Sequence, residues 1–124
     1  MPIINENDTV ATEEIKLGDN DRLSALVSIL VGADLLIILS DVEGLLDRNK
    51  KIIRRVNKIT GEIKSLACPT SIKTFVGGMV TKIEAARIAV EEGIPCVIAN
   101  GTKKEIIAKV VDNPFSEGTV FLPK

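Results

Sequence analysis

The sequence predicts an α/β fold of the layered α/β/α type on a mainly parallel sheet, and three observations carry that prediction. Two short apolar runs, DLLIILS at 34–40 and IPCVIAN at 94–100, have the length of buried strands. Helix-like amphipathic segments separate them, the pattern of parallel strands covered on both faces. Polar residues collect directly after each run, where ligands bind in open sheets of this kind.

The elements follow in order. Pro2 to Ile4 reads as the tail of a strand, and Asp21 to Val31 as a helix with Leu23, Val27, Leu30 and Val31 on one face. After the strand at 34–40, the charged stretch from Asp47 to Thr74 carries a short strand near Ile52, Ile53 and Val56 and a short helix from Gly61 to Leu66. Met79 to Glu92 is the strongest helix, with Met79, Ile83, Ala86 and Val90 on one side and Gly93 as its stop. The strand at 94–100, a helix from Lys103 to Val111 and a last strand, GTVFL at 118–122, complete one domain over residues 1–124.

Composition narrows the chemistry. The 124 residues carry a formal net charge of −1 and no histidine, so imidazole general-base catalysis is excluded and carboxylates, lysines, hydroxyls and backbone dipoles remain. Balanced charge and the absence of tryptophan and tyrosine predict no nucleic-acid partner. The apolar run from Leu26 to Ser40 is broken at Gly32, Ala33 and Asp34, so no membrane span is expected; with no secretion signal ahead of it, the expected compartment is cytoplasmic. Cys68 and Cys96 lack zinc or CxxC spacing and read as buried thiols, and no protein-held metal is predicted.

Three polar features stand out. INENDTVATEEIKLGDND at 4–21 holds six carboxylates, three asparagines and one lysine. It is either a solvated acidic loop or a ligand loop, and it follows a strand on the ligand-binding side. In GGMVTK at 77–82, two glycines precede a helix whose first turn carries Lys82, a cation the helix dipole disfavours there. A bound anion would offset that cost, and a plain turn with a solvated lysine is the alternative. SDVEGLL at 40–46 ends a strand with a hydroxyl and a carboxylate, suited to a nucleotide or to a simple Asx turn.

Taken in sequence, PIINENDTVATEEIKLGDNDRLSALV, ADLLIILSDVEGL, GGMVTKIEAARIA and GIPCVIANG resemble the consecutive signatures of the glutamate 5-kinases, within the amino acid kinase superfamily. The resemblance covers nearly the whole chain but only the C-terminal half of that kinase domain, with a glutamate-binding loop at 4–21 and a nucleotide-binding portion at 34–124. It implies an amino acid kinase-like fold and ATP-dependent phosphorylation of the γ-carboxylate of L-glutamate, with Mg²⁺, as the first step of proline biosynthesis. By motif position it implies that Asn5, Asp8 and Asn20 serve the substrate and that Asp21 organises the catalytic lysines. It implies further that Ser40, Asp41 and the stretch Val76, Gly77, Gly78, Met79, Val80, Thr81 and Lys82 serve the nucleotide, with Lys82 holding the transferring phosphate. Chemically, Asp8 suits an ammonium and Asn20 a carboxylate, while Asp21 has the alternative role of a helix N-cap.

Two departures accompany the resemblance. Phe75 and Val76 stand where the family loop has glycine and threonine, and Leu46 and Lys50 where it often has tyrosine and proline. The family's first strand and its Lys-x-Gly phosphate segment have no counterpart here. A sheet cut between strands exposes backbone edges and apolar surface, so a homo-oligomer or a complementary N-terminal kinase half is the expected partner.

Overall fold

The computed structural model describes residues 19–67 and 79–123. In chain order its elements are α1 (Asp19–Leu30), β1 (Leu36–Ser40), β2 (Arg55–Val56), α2 (Gly61–Ala67), α3 (Met79–Glu91), β3 (Cys96–Asn100), α4 (Ile106–Asp112) and β4 (Thr119–Phe121). They form a sheet of order β1-β3-β4-β2. β1 and β3 are parallel, in register from Leu36 opposite Cys96 to Ser40 opposite Asn100. β2 and β4 are parallel as well, while β3 and β4 run antiparallel. The predicted α/β architecture is the observed one, and the strand expected at 2–4 lies outside the described residues.

The sheet is covered on both faces. Leu36, Ile38, Cys96, Ile98 and Phe121 join Ala25, Ile83, Ala86 and Ala89 in one core, under α1 and α3. Val97, Ala99 and Val120 pack with Ile106 and Val110 in a second, under α4. β3 contributes to both, so its residues from Cys96 to Ala99 are all fully buried. That explains an apolar run without polar alternation at 94–100.

The predicted face of α1 is not the buried one. Leu23, Leu30 and Val31 are exposed, Leu30 to 84%, and the inward residues are Ala25 and Ser28. Ala25 shares a core with Ala85, Ala86 and Ala89 of α3, and α1 packs on α3 more extensively than on any other element. Small residues let the two helices approach closely, so close packing rather than side-chain bulk selects the inner face. Ser28 is buried at no polar cost because its hydroxyl donates to Ala25 O at 2.6 Å.

Both helices stop in the same way. Ala33 N–H donates to Ser28 O and Gly32 N–H to Ile29 O; Ile94 N–H donates to Ala89 O and Gly93 N–H to Val90 O. These are Schellman caps, with Gly32 (φ 66°) and Gly93 (φ 82°) in the left-handed conformation the motif requires. Each cap turns the chain directly into a strand, so α1 returns along β1 and α3 along β3. The first turns of both helices are thereby directed toward the carboxyl ends of those strands.

Two local boundaries differ from the sequence reading. The helix expected from Lys103 begins at Ile106, because Asn100 Oδ1 accepts from Thr102 N–H at 2.9 Å and Glu105 is left-handed (φ 59°), holding the intervening residues in turns. The strand expected near Ile52, Ile53 and Val56 is present as β2 at Arg55–Val56, while Ile52 itself forms a bridge to Leu46 across a tight turn, where Asp47 Oδ1 accepts from Asn49 and Lys51 N–H. Lys50 there has φ 63°, which a proline ring, fixed near −65°, cannot adopt. This turn therefore needs the lysine or another non-proline residue. Among the described residues no helix is long and apolar enough to cross a membrane.

Candidate functional site

Asp21 sits in the first turn of α1, inside the helix and not at its N-cap position, and its carboxylate reaches across to α3. Thr81 Oγ1 donates to Asp21 Oδ2 at 2.8 Å, and Lys82 Nζ lies 3.5 Å from the same oxygen. Both members of the ion pair are largely enclosed, with side-chain exposures of 17% for Asp21 and 16% for Lys82. A carboxylate here is favoured by the positive ends of two helices at once. It also supplies the counter-charge that Lys82, in the first turn of α3, requires. At 3.5 Å the lysine contact is long for a charge-assisted hydrogen bond, and it engages only one of three ammonium N–H groups. Among the described residues this contact holds the cation in place without saturating it.

Cys96 begins β3 and lies in the core beneath α1 and α3. Its thiol is fully buried, and burial, with a smaller addition from the charge of Asp21, pushes its pKa far above the ordinary range. It is an inert core residue, as the sequence reading expected.

The other expected nucleotide residues are at the rim. Ser40 ends β1 and Asp41 follows it; Ser40 Oγ donates to Asp41 Oδ1 and accepts from Val42 N–H, both at 3.4 Å. These long contacts make a loose local turn and leave both side chains accessible to a ligand. The same rim carries Asn100, opposite Ser40, and Gly101 N–H donates to Ser40 O at 2.8 Å. Met79, Val80, Thr81 and Lys82 open α3, and Asn20 is in the first turn of α1. Asn5, Asp8, Val76, Gly77 and Gly78 lie outside the described residues.

One feature of this rim was not legible in the sequence. Lys103 Nζ is 2.8 Å from Glu43 Oε2 and 2.9 Å from Glu117 Oε2, and Asn100 Nδ2 donates to Glu43 Oε1 at 3.3 Å. The hydrogen bonds from Lys103 hold both carboxyl groups below the usual glutamate range, and they raise the lysine. The partners are separated by 57 or more positions on one side and 14 on the other, and no local motif links them.

Residues 1–100 match the amino acid kinase family. Glutamate 5-kinase of Clostridium acetobutylicum is 51% identical over 130 residues, which take in all of this chain and 48% of that protein. The glutamate 5-kinase of Dictyoglomus thermophilum is 46% identical over 129 residues, 99% of this chain and 34% of its own. The chain thus spans about half the length, or less, of these relatives. Among solved structures, carbamate kinase from Giardia lamblia bound to AMP-PNP superposes with a TM-score of 0.60 at 20% identity, over 86% of this chain and 36% of that one. N-acetylglutamate synthase from Neisseria gonorrhoeae does so with a TM-score of 0.66 at 20% identity, over 86% and 24%. At that identity the two structures speak to the fold alone. With the family match across residues 1–100 and the same layered sheet, the chain belongs to the amino acid kinase family.

Proposed function

We propose that this chain supplies the nucleotide side and part of the substrate side of a glutamate 5-kinase. The reaction is ATP-dependent phosphorylation of the γ-carboxylate of L-glutamate to glutamyl 5-phosphate, the first step of proline biosynthesis. The observation that carries the reading is the enclosed Asp21–Thr81–Lys82 cluster at the first turns of α1 and α3. The similarity to glutamate 5-kinases, rather than the fold, supplies the choice of substrate.

The chemistry suits a chain without histidine. A γ-carboxylate is already ionised at neutral pH, so no general base is needed. Its oxygen attacks the γ-phosphorus of ATP while the bond to the bridging oxygen of ADP breaks, and the protein aligns two anions and spreads the developing charge. Lys82 and the N–H groups of the first turn of α3 fit phosphate oxygens, and Asp21 keeps the lysine aimed between the helices. Mg²⁺, which retains water and binds chiefly through substrate phosphates, would arrive on the triphosphate and neutralise its charge. Ser40 and Asp41 at the rim of β1 would hold the nucleoside end. Asp8 would receive the ammonium of glutamate and Asn20 its α-carboxylate, with Asn5 supporting the same loop.

The test is turnover of Mg²⁺-ATP and L-glutamate with hydroxylamine present to trap the acyl phosphate, in the unaltered chain and in Asp21→Asn and Lys82→Ala. Hydroxamate that vanishes in both variants supports the assignment; hydroxamate that persists in Lys82→Ala overturns it. N-acetylglutamate and aspartate run in parallel test the substrate.

A second reading, an assembly or nucleotide-binding module without activity of its own, is favoured by the exposed stripe of Leu23, Leu26 and Leu30 on α1. A face of that kind calls for cover by a complementary kinase half or by a second copy. Light scattering that gives more than the mass of one chain, or activity recovered when an N-terminal kinase half is added, is the expected outcome. A monomer that unfolds in one cooperative transition and gains nothing from the added half contradicts it.

A further inference from the structure

We propose that Lys103 is a positioning residue for the nucleotide: by bridging Glu43 and Glu117 it fixes the 41–45 loop, and with it Ser40 and Asp41, in the arrangement that receives ATP. The inference rests on Ser40 and Asp41 being nucleotide contacts, as proposed above.

Three segments distant in sequence meet at one ammonium. The first is the 41–45 loop, whose ends are independently anchored: Ser40 is paired to β3, and Leu45 N–H donates to the buried hydroxyl of Thr119 at 2.8 Å. Between those anchors, Glu43 makes the side-chain contacts, to Lys103 at 2.8 Å and to Asn100 at 3.3 Å. The second segment, 100–105, is stiffened by Asn100 Oδ1, which accepts from both N–H and Oγ1 of Thr102. The third brings in Glu117 through a turn in which Ser116 N–H and Oγ both donate to Asn113 O. That turn ends at Gly118 (φ 67°), packed so tightly on β3 that an added Cβ would lie 2.0 Å from Ile98 O. The glycine thus holds the backbone next to Glu117 against β3.

Lys103 therefore links the part of the rim that carries Ser40 and Asp41 to two segments fixed by backbone. The loop would otherwise be tied, between its anchors, by the long 3.4 Å contacts of Ser40 and the one from Asn100. Titration supports the geometry, since Lys103 shifts each glutamate toward its charged form and both glutamates do the same for Lys103.

The experiment titrates Mg²⁺-ATP into the unaltered chain and into Lys103→Met, Lys103→Arg and Glu117→Gln by calorimetry, with a thermal melt of each. Lys103→Met is expected to weaken ATP binding about three- to fivefold, the size of an exposed ion-pair network, with Lys103→Arg restoring most of it and Glu117→Gln falling between. The same affinity in Lys103→Met and the unaltered chain, both with intact melting transitions, overturns the positioning role. Should Lys103→Met fail to melt cooperatively, Glu117→Gln decides by the same criterion. No ATP binding by the unaltered chain overturns the underlying assignment of Ser40 and Asp41, and the role of Lys103 falls with it.

Discussion

Two lysine–carboxylate clusters serve the carboxyl ends of β1 and β3, and they differ in a way that separates holding from acting. The Lys103 triad is the tighter, with contacts of 2.8 and 2.9 Å, yet it is open to solvent, Lys103 being 36% exposed and Glu43 43%. The Asp21–Lys82 pair is enclosed, at 17% and 16%, but its contact is long at 3.5 Å. Short contacts in the open satisfy their members and are cheap to form. A long contact in an enclosed place keeps a charge available at a fixed position, which is what a transferring phosphoryl group requires. Under the proposed function, length of contact alone would rank the two clusters in the wrong order for chemistry.

The largest effect expected from this contrast is in turnover. Lys82→Ala should lower kcat by about 10²- to 10³-fold, the usual cost of one charge-stabilising donor in a dry site. Asp21→Asn should do similar damage, and it should also cost stability, because it leaves Lys82 unpaired beside the positive end of α3. The double variant Asp21→Asn with Lys82→Met should regain much of that stability while staying inactive. Stability losses that simply add in the double variant would show that the pair is not coupled, and the contrast between the clusters would fail.

Gly118→Ala comes next, and it attacks the triad without altering a charge. The new methyl would meet Ile98 O and Ala99 Cα at 2.0 and 3.0 Å, at a backbone angle (φ 67°) that side chains rarely take. The expected cost is about 1–3 kcal/mol in urea unfolding, as for other over-packed sites, together with weaker ATP binding. A Gly118→Ala chain of unchanged stability would mean that the turn relaxes freely and does not fix Glu117.

How much of this was legible in the sequence depended on range. β1 and β3 were, because a continuous apolar run between turn signals has one good use in a two-sided sheet, and the stop of α3 at Gly93 was, because glycine at C′ is a local signal. The inner face of α1 was not. Periodicity weighs bulk, so it chose Leu23, Val27 and Leu30, while the fold buries the Ala25 and Ser28 side against the alanines of α3. Lys82 was flagged by its cost at a helix start, but its partner Asp21 is 61 residues away and came only from the resemblance. Lys103, Glu43 and Glu117 carried no signal, since single charges in loops look alike whether solvated or paired.

The smallest expected effect, and the cleanest for the triad, is its dependence on pH. Lys103 lowers the pKa of Glu43 and Glu117 from the ordinary 4.5, so their contribution to stability is fully present above that value. It is lost as pH falls through their depressed folded-state values, where the folded chain takes up the protons that the unfolded chain already holds. Lys103 is raised from 10.5, so its contribution is present below that pH and is lost only as pH climbs through the raised value. Between these limits the triad is constant, and of its two edges the acid one reports the carboxylates. The urea midpoint of the unaltered chain should therefore exceed that of Lys103→Met at pH 7, with the gap closing as pH falls below the ordinary glutamate value. A gap that stays the same in acid would assign the effect of Lys103 to the packing of its stem, leaving the two carboxylates without a part in holding the rim.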